Sequence, residues 1–81
     1  MKTKEVQLTN GERKVVELIL DSNPSLEEMA IALNVKIGSI GMYLNRIYRE
    51  CDINVERRFK RAELIHRFNN GEITITNRPQ L

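Results

Sequence analysis

A chain of 81 residues, 41% hydrophobic and 30% charged, has the balance of an ordinary globular domain and length for one such domain with a modest core. Its formal charge of +2 is weak evidence for an anionic partner. The single cysteine, Cys51, excludes an intramolecular disulfide and a cysteine-built zinc site, and no apolar run approaches the length that spans a bilayer.

Residues 1–7 read as a short flexible lead. They carry lysines but no following apolar stretch of the signal-peptide kind, so the expected location is the cytoplasm. In LTNGERKVVELIL, Thr9 and Glu12 have the spacing of a capping box, and Val15, Val16, Ile19 and Leu20 form an apolar face. The pattern predicts a first helix over about 10–20, closed by Pro24 and by Asn23, which a following proline biases away from the α region. Ser25 and Glu28 repeat the capping box ahead of a second helix, 26–33, with Met29, Ala30 and Leu33 facing inward.

A tight turn at Asn34 and Val35 leads into a third helix, 37–50. Ile37, Ile40, Leu44, Ile47 and Cys51 recur at intervals of three and four, which is one stripe along a helix. The opposite face carries Gly38, Gly41, Met42, Asn45 and Arg49. Glycine costs about 1 kcal/mol against alanine inside a helix. Two of them, one turn apart on an outer face, raise the question of what comes close to that backbone.

Asn54 is placed to cap a fourth helix over 55–70, with Phe59, Ala62, Ile65 and Phe68 at helical spacing and Gly71 as a left-handed stop. The tail, 72–81, alternates briefly as ITIT and reads as a short strand or a loose end. The expectation is an all-α, four-helix domain spanning 8–71. Within it a short helix, a brief turn and a longer helix form the helix-turn-helix pattern.

Nothing here points to catalysis. His66, the one histidine, lies amid Arg61 and Arg67 on a charged helix and reads as solvated surface. Cys51 continues an apolar stripe and reads as a buried small hydrophobe. Glu27 and Glu28 suit the positive end of a helix dipole. No phosphate loop or metal-ligand spacing is present, so neither an enzyme nor a cofactor is expected. The cations carry more. Arg57, Arg58, Lys60, Arg61 and Arg67 outnumber Glu56 and Glu63 over 56–67, and Lys36, Arg46 and Arg49 lie on or beside the third helix. Beside a helix-turn-helix, such residues are placed to touch phosphates and fix register.

The segment LTNGERKVVELIL…SLEEMAIALNVKIGSIGMYLNRIYRECDI resembles the LuxR/GerE family of helix-turn-helix domains. Leu8, Thr9, Glu12 and Arg13 match its opening. Glu28, Met29, Ala30, Leu33 and Val35 match its scaffold helix. Ser39, Ile40, Gly41, Tyr43 and Ile47 fall on its recognition helix, and Cys51 and Ile53 on the Leu-x-Val that follows. The stretch SLEEMAIALNVKIGSIGMYLNRIYRE is also similar to the fourth region of bacterial sigma factors. The family's basic residue and histidine are replaced here by Gly41 and Tyr43.

The resemblance implies a stand-alone transcription regulator that binds duplex DNA as a homodimer, with the third helix in the major groove. It implies base contacts from Gly41, Met42 and Asn45. Together with the charge pattern, it assigns phosphate contacts to Lys36, Ser39, Tyr43, Arg46, Arg57 and Arg58. The fourth helix would pair the subunits through Leu64, Ile65 and Phe68, while Phe59 and Ala62 close onto the first three helices. The alternative is a protein-interaction module that reuses the same fold to bind a regulator or RNA polymerase.

Overall fold

In a computed structural model, which describes residues 3–77, the helix boundaries follow from caps. Helix α1 (Asn10–Ser22) starts at Thr9, whose hydroxyl accepts the Glu12 N–H at 3.3 Å, while Glu12 Oε1 accepts the Thr9 N–H at 3.1 Å. Helix α2 (Leu26–Leu33) starts with the same reciprocal pair at Ser25 and Glu28, at 3.1 and 3.4 Å. Both capping boxes stand where the spacing put them.

Helix α3 (Ile37–Glu50) follows after three residues, and helix α4 (Lys60–Asn69) follows a single 3-10 turn, Arg57–Phe59. The breaks after the helices use residues that tolerate left-handed backbone: Asn23, Asn34, Asp52 and Gly71, with φ of 48°, 55°, 54° and 70°. Three of these are closed by a backbone bond spanning the turn. The N–H of Val35 reaches the carbonyl of Ala30 at 3.0 Å, that of Ile53 reaches Tyr48 at 2.9 Å, and that of Glu72 reaches Arg67 at 2.9 Å.

The core is drawn from all four α-helices and both strands. Val15, Val16 and Ile19 of α1 meet Met29 and Ala30 of α2, and Ile40, Leu44 and Ile47 of α3, all buried. The predicted inner stripe of α3 is therefore the observed one, except that Ile37 at its start stays half exposed.

Two expectations need correction. The first is the all-α class. Lys4–Leu8 is a strand, β1, pairing in parallel with Ile73–Asn77, β2, in the register Val6 opposite Ile75. The fold is mostly helical with a two-stranded sheet, and residues 4–7 of the expected lead are built into it. Val6, Leu8 and Ile73 are buried against the helices, and the side chains of Lys4 and Asp52 form an ion pair that ties β1 to the end of α3. The brief alternation ITIT does mark β2, the strand being one of its two readings, but β1 reads only as a lead and its partner lies at the other end of the sequence, so local pattern cannot reveal the pairing.

The second is the fourth helix, which begins five residues later than Asn54 and the apolar spacing suggest. Asn54 does not cap it. Glu56 is extended, and the 3-10 turn lacks any side-chain cap. The faces also differ from expectation. Leu64 is wholly buried, with Ile65 and Phe68 packed partly against the core, while Phe59 is 50% exposed and Ala62 is exposed. The inner stripe is Arg61, Leu64, Ile65 and Phe68. Arg61 belongs to it because its guanidinium donates to the Asn23 side chain at 3.1 Å and to the Pro24 carbonyl. A long cationic side chain can cover apolar surface and still satisfy its head.

A candidate binding face on α3

Gly38, Met42, Asn45 and Arg49 form the outermost stripe of α3, and all four are exposed, Met42 to 68%. A Cβ added at Gly38 or at Gly41 would meet nothing within 4 Å. The fold itself has no steric use for either glycine. Gly11 is the contrast: a Cβ there would lie 3.1 Å from Cζ and Oη of Tyr43.

That contact defines the first flank of α3, which faces the start of α1. The Tyr43 ring lies over Gly11. One turn on, Arg46 Nε is 3.0 Å from Glu12 Oε2. Glu12 is 2% exposed, and its two oxygens are divided between the Thr9 N–H and Arg46. A carboxylate is favoured near a helix N-terminus. Buried, it also needs the cation. Tyr43 and Arg46, both expected at phosphates, are thus engaged inside the fold, although the Arg46 side chain remains 47% exposed. Of the other expected phosphate contacts, Ser39 is half-buried, and Lys36, Arg57 and Arg58 are exposed.

The second flank faces the segment before α4 across a cleft of about 990 Å³. Leu26, Leu44 and Tyr48 supply its apolar lining, and Gly41 and Asn45 stand on the α3 side. The facing side holds Arg57, Arg58, Lys60 and Arg61 with one carboxylate, Glu56. These cations differ in freedom. Arg61 is tied to the turn before α2. Lys60 Nζ lies 5.4 Å over the Tyr48 ring. Arg58 pairs with Glu56 at 3.2 Å and lies 4.9 Å over the Phe59 ring. Among the described residues Arg57 has no ion-pair partner. Burial raises the Tyr48 phenol above its ordinary value, and the nearby Arg61 guanidinium opposes that shift.

The expected base-contacting set, Gly41, Met42 and Asn45, does share one presented face. The expected dimer set does not: Leu64 is interior, and the exposed apolar groups of that region are Val55 and Phe59. The sequence reading missed the cleft. Tyr48 was accessible to it, since 41, 44, 45 and 48 share a helical face. Leu26 and Lys60 join that face only through the packing of α2 and α4 around α3.

Cys51 is 1% exposed, and burial raises its thiol to about 11 against the partly offsetting charges of Lys4 and Arg67. A thiol held neutral in this way is a core group. Among the described residues no group of three or more His, Cys, Asp or Glu side chains is placed to hold a metal ion, and no helix is long and apolar enough to cross a membrane. No protein-family model, curated protein or solved structure matches this chain.

Proposed function

We propose that the protein is a small helix-turn-helix regulator that binds duplex DNA, with α3 entering the major groove. The observation that carries the reading is the pair of glycines. Gly38 and Gly41 lower helix stability and fill no internal need, yet Gly38 is exposed and Gly41 half-buried at the edge of a face that also carries Lys36, Arg49 and Arg57. Two positions without a Cβ let a large surface approach the backbone closely there. Asn45, exposed in the same stripe, has the donor and acceptor that pair with adenine, and Met42 suits a thymine methyl. The LuxR/GerE resemblance supplies the same orientation.

Binding of a fluorescent random-sequence duplex tests it. Affinity should fall steeply with salt, and Arg57→Ala or Arg58→Ala should reduce the salt slope by roughly one without changing sequence preference. Arg46→Ala should act mainly on stability. Absence of salt-dependent duplex binding would end the reading.

A second reading, a protein-interaction module, draws on Ile31 (80% exposed), Met42 and Ile37 (48% exposed), which are apolar groups of α2 and α3 left in solvent. Binding through them would depend little on salt. A homodimer belongs to the first reading through the resemblance, with Val55 and Phe59 rather than Leu64 available for the contact. Sedimentation of the wild type beside Phe59→Glu measures it.

A further inference from the structure

The cleft between α3 and the segment before α4 has a chemistry that a DNA backbone does not match. Phosphates would meet its basic side, but nothing in a phosphodiester chain fills the apolar surface of Leu26, Leu44 and Tyr48 behind it. Leu26 is 36% exposed there, a large aliphatic side chain left partly in water at the first position of α2. Opposite it the four cations face one carboxylate, and Arg57 has no ion-pair partner among the described residues. A complementary occupant presents one apolar side chain to the lining and carboxylates on either side of it to the cations.

We infer that the cleft is a docking site for an acidic segment of a partner protein, anchored by one apolar side chain between flanking Asp or Glu residues. The apolar anchor contributes affinity chiefly through water removed from Leu26. The flanking carboxylates orient the segment and reach Arg57 and Lys60 with charge-assisted bonds. Gly41 contributes by its missing side chain, since the α3 backbone at that point is open. The inference does not depend on the duplex-binding reading, because the site is defined by its lining and its charge.

The probe is a short synthetic peptide with a central leucine flanked by glutamates, fluorescein-labelled, added to the full chain. Two control peptides carry serine for the leucine, or lysines for the glutamates. Binding is followed by anisotropy and by amide and methyl chemical shifts. The glutamate–leucine peptide should saturate, with shifts centred on Leu26, Gly41, Leu44 and Asn45. The serine peptide should bind roughly tenfold more weakly, and the lysine peptide should not bind measurably. Leu26→Ser, at a helix-start position that accepts serine, should weaken the leucine peptide roughly tenfold. Arg57→Ala should weaken it roughly two- to fivefold. Helical content, checked by circular dichroism, should be unchanged in both.

Equal binding of the leucine and serine peptides would reduce the contact to surface charge and overturn the inference. So would shifts elsewhere on the molecule. Shifts at the Leu26 and Leu44 methyls caused by duplex DNA, with none from the peptide, would make the cleft a nucleic-acid contact instead.

Discussion

The two flanks of α3 start from similar material and end differently. Toward α1, an aromatic ring and an arginine are used up: Tyr43 covers Gly11, and Arg46 neutralises Glu12. Toward α4, an aromatic ring and several cations border an open cleft, and Arg57 is unpaired among the described residues. The difference comes from what faces them. The α1 flank meets a helix start that carries a buried carboxylate, so a cation is held there. The α4 flank of α3 carries no charged side chain, and the segment across the cleft sets four cations against the single carboxylate of Glu56, so positive charge is left over there. A fold can therefore hold one arginine in an internal ion pair and leave another, eleven positions on, without one, and sequence spacing does not say which.

Three substitutions would break or sharpen that contrast. Leu44, 7% exposed, is a core residue at the base of the cleft, so Leu44→Ala should cost about 2–5 kcal/mol by lost burial and the cavity left, read by urea unfolding. Arg46→Ala should cost about 1–3 kcal/mol, because it leaves the buried Glu12 carboxylate short of a partner. Arg57→Ala on the open flank should stay within about 0.5 kcal/mol. Equal losses at the two arginines would erase the distinction between the flanks.

Alanine at Gly38 or Gly41 should raise stability by about 0.5–1 kcal/mol each, since the added methyl meets nothing, while weakening whatever partner binds this face. Gly11→Ala should gain less than either, because its methyl must displace the Tyr43 ring. A scan of melting temperatures across the three variants decides the order. The last effect is confined to the alkaline side. The Cys51 thiol is raised from 9.0 to about 11 by burial, so the folded state holds its proton more tightly than the unfolded state. That contribution is full below pH 9 and is lost as the pH rises toward 11. Denaturant unfolding at successive pH values should show the decline, and Cys51→Ala should remove this part of it. At neutral pH the native thiol should resist disulfide reagents until the protein unfolds.

What was legible in the sequence was local. Thr9 with Glu12 and Ser25 with Glu28 are decided within one helical turn, as are the Asn34 and Gly71 stops, and all of these stand as read. The inner stripe of α3 was legible because its whole face is set by one helix. The orientation of α4 was not. Its apolar residues nearly encircle it, and Phe59 looked like core because nothing in the local pattern shows that Arg61 can bury its stem and bond the Pro24 carbonyl. Ranking Phe above Arg as an inner residue then put Leu64 on the outside. Among the candidate contacts, Met42 and Asn45 needed only helix geometry to be placed outward. The fates of Arg46 and Tyr43 needed the position of α1.

The ribbon of β1 and β2 has a consequence for how the chain is made. Val6 and Ile75 sit opposite each other although roughly 70 positions separate them. Closing so long a loop is entropically dearer than closing the short loops between the helices. The helices therefore have contacts to form first, and the ribbon comes late. β1 also leaves the ribosome well before β2 exists. In that interval Val6 and Leu8 belong to an apolar strand whose hydrogen-bonding partner has not yet been synthesised. Any product interrupted before Ile73 keeps that strand unpaired for good, and an unpaired edge of this kind invites another nascent copy to supply the missing strand.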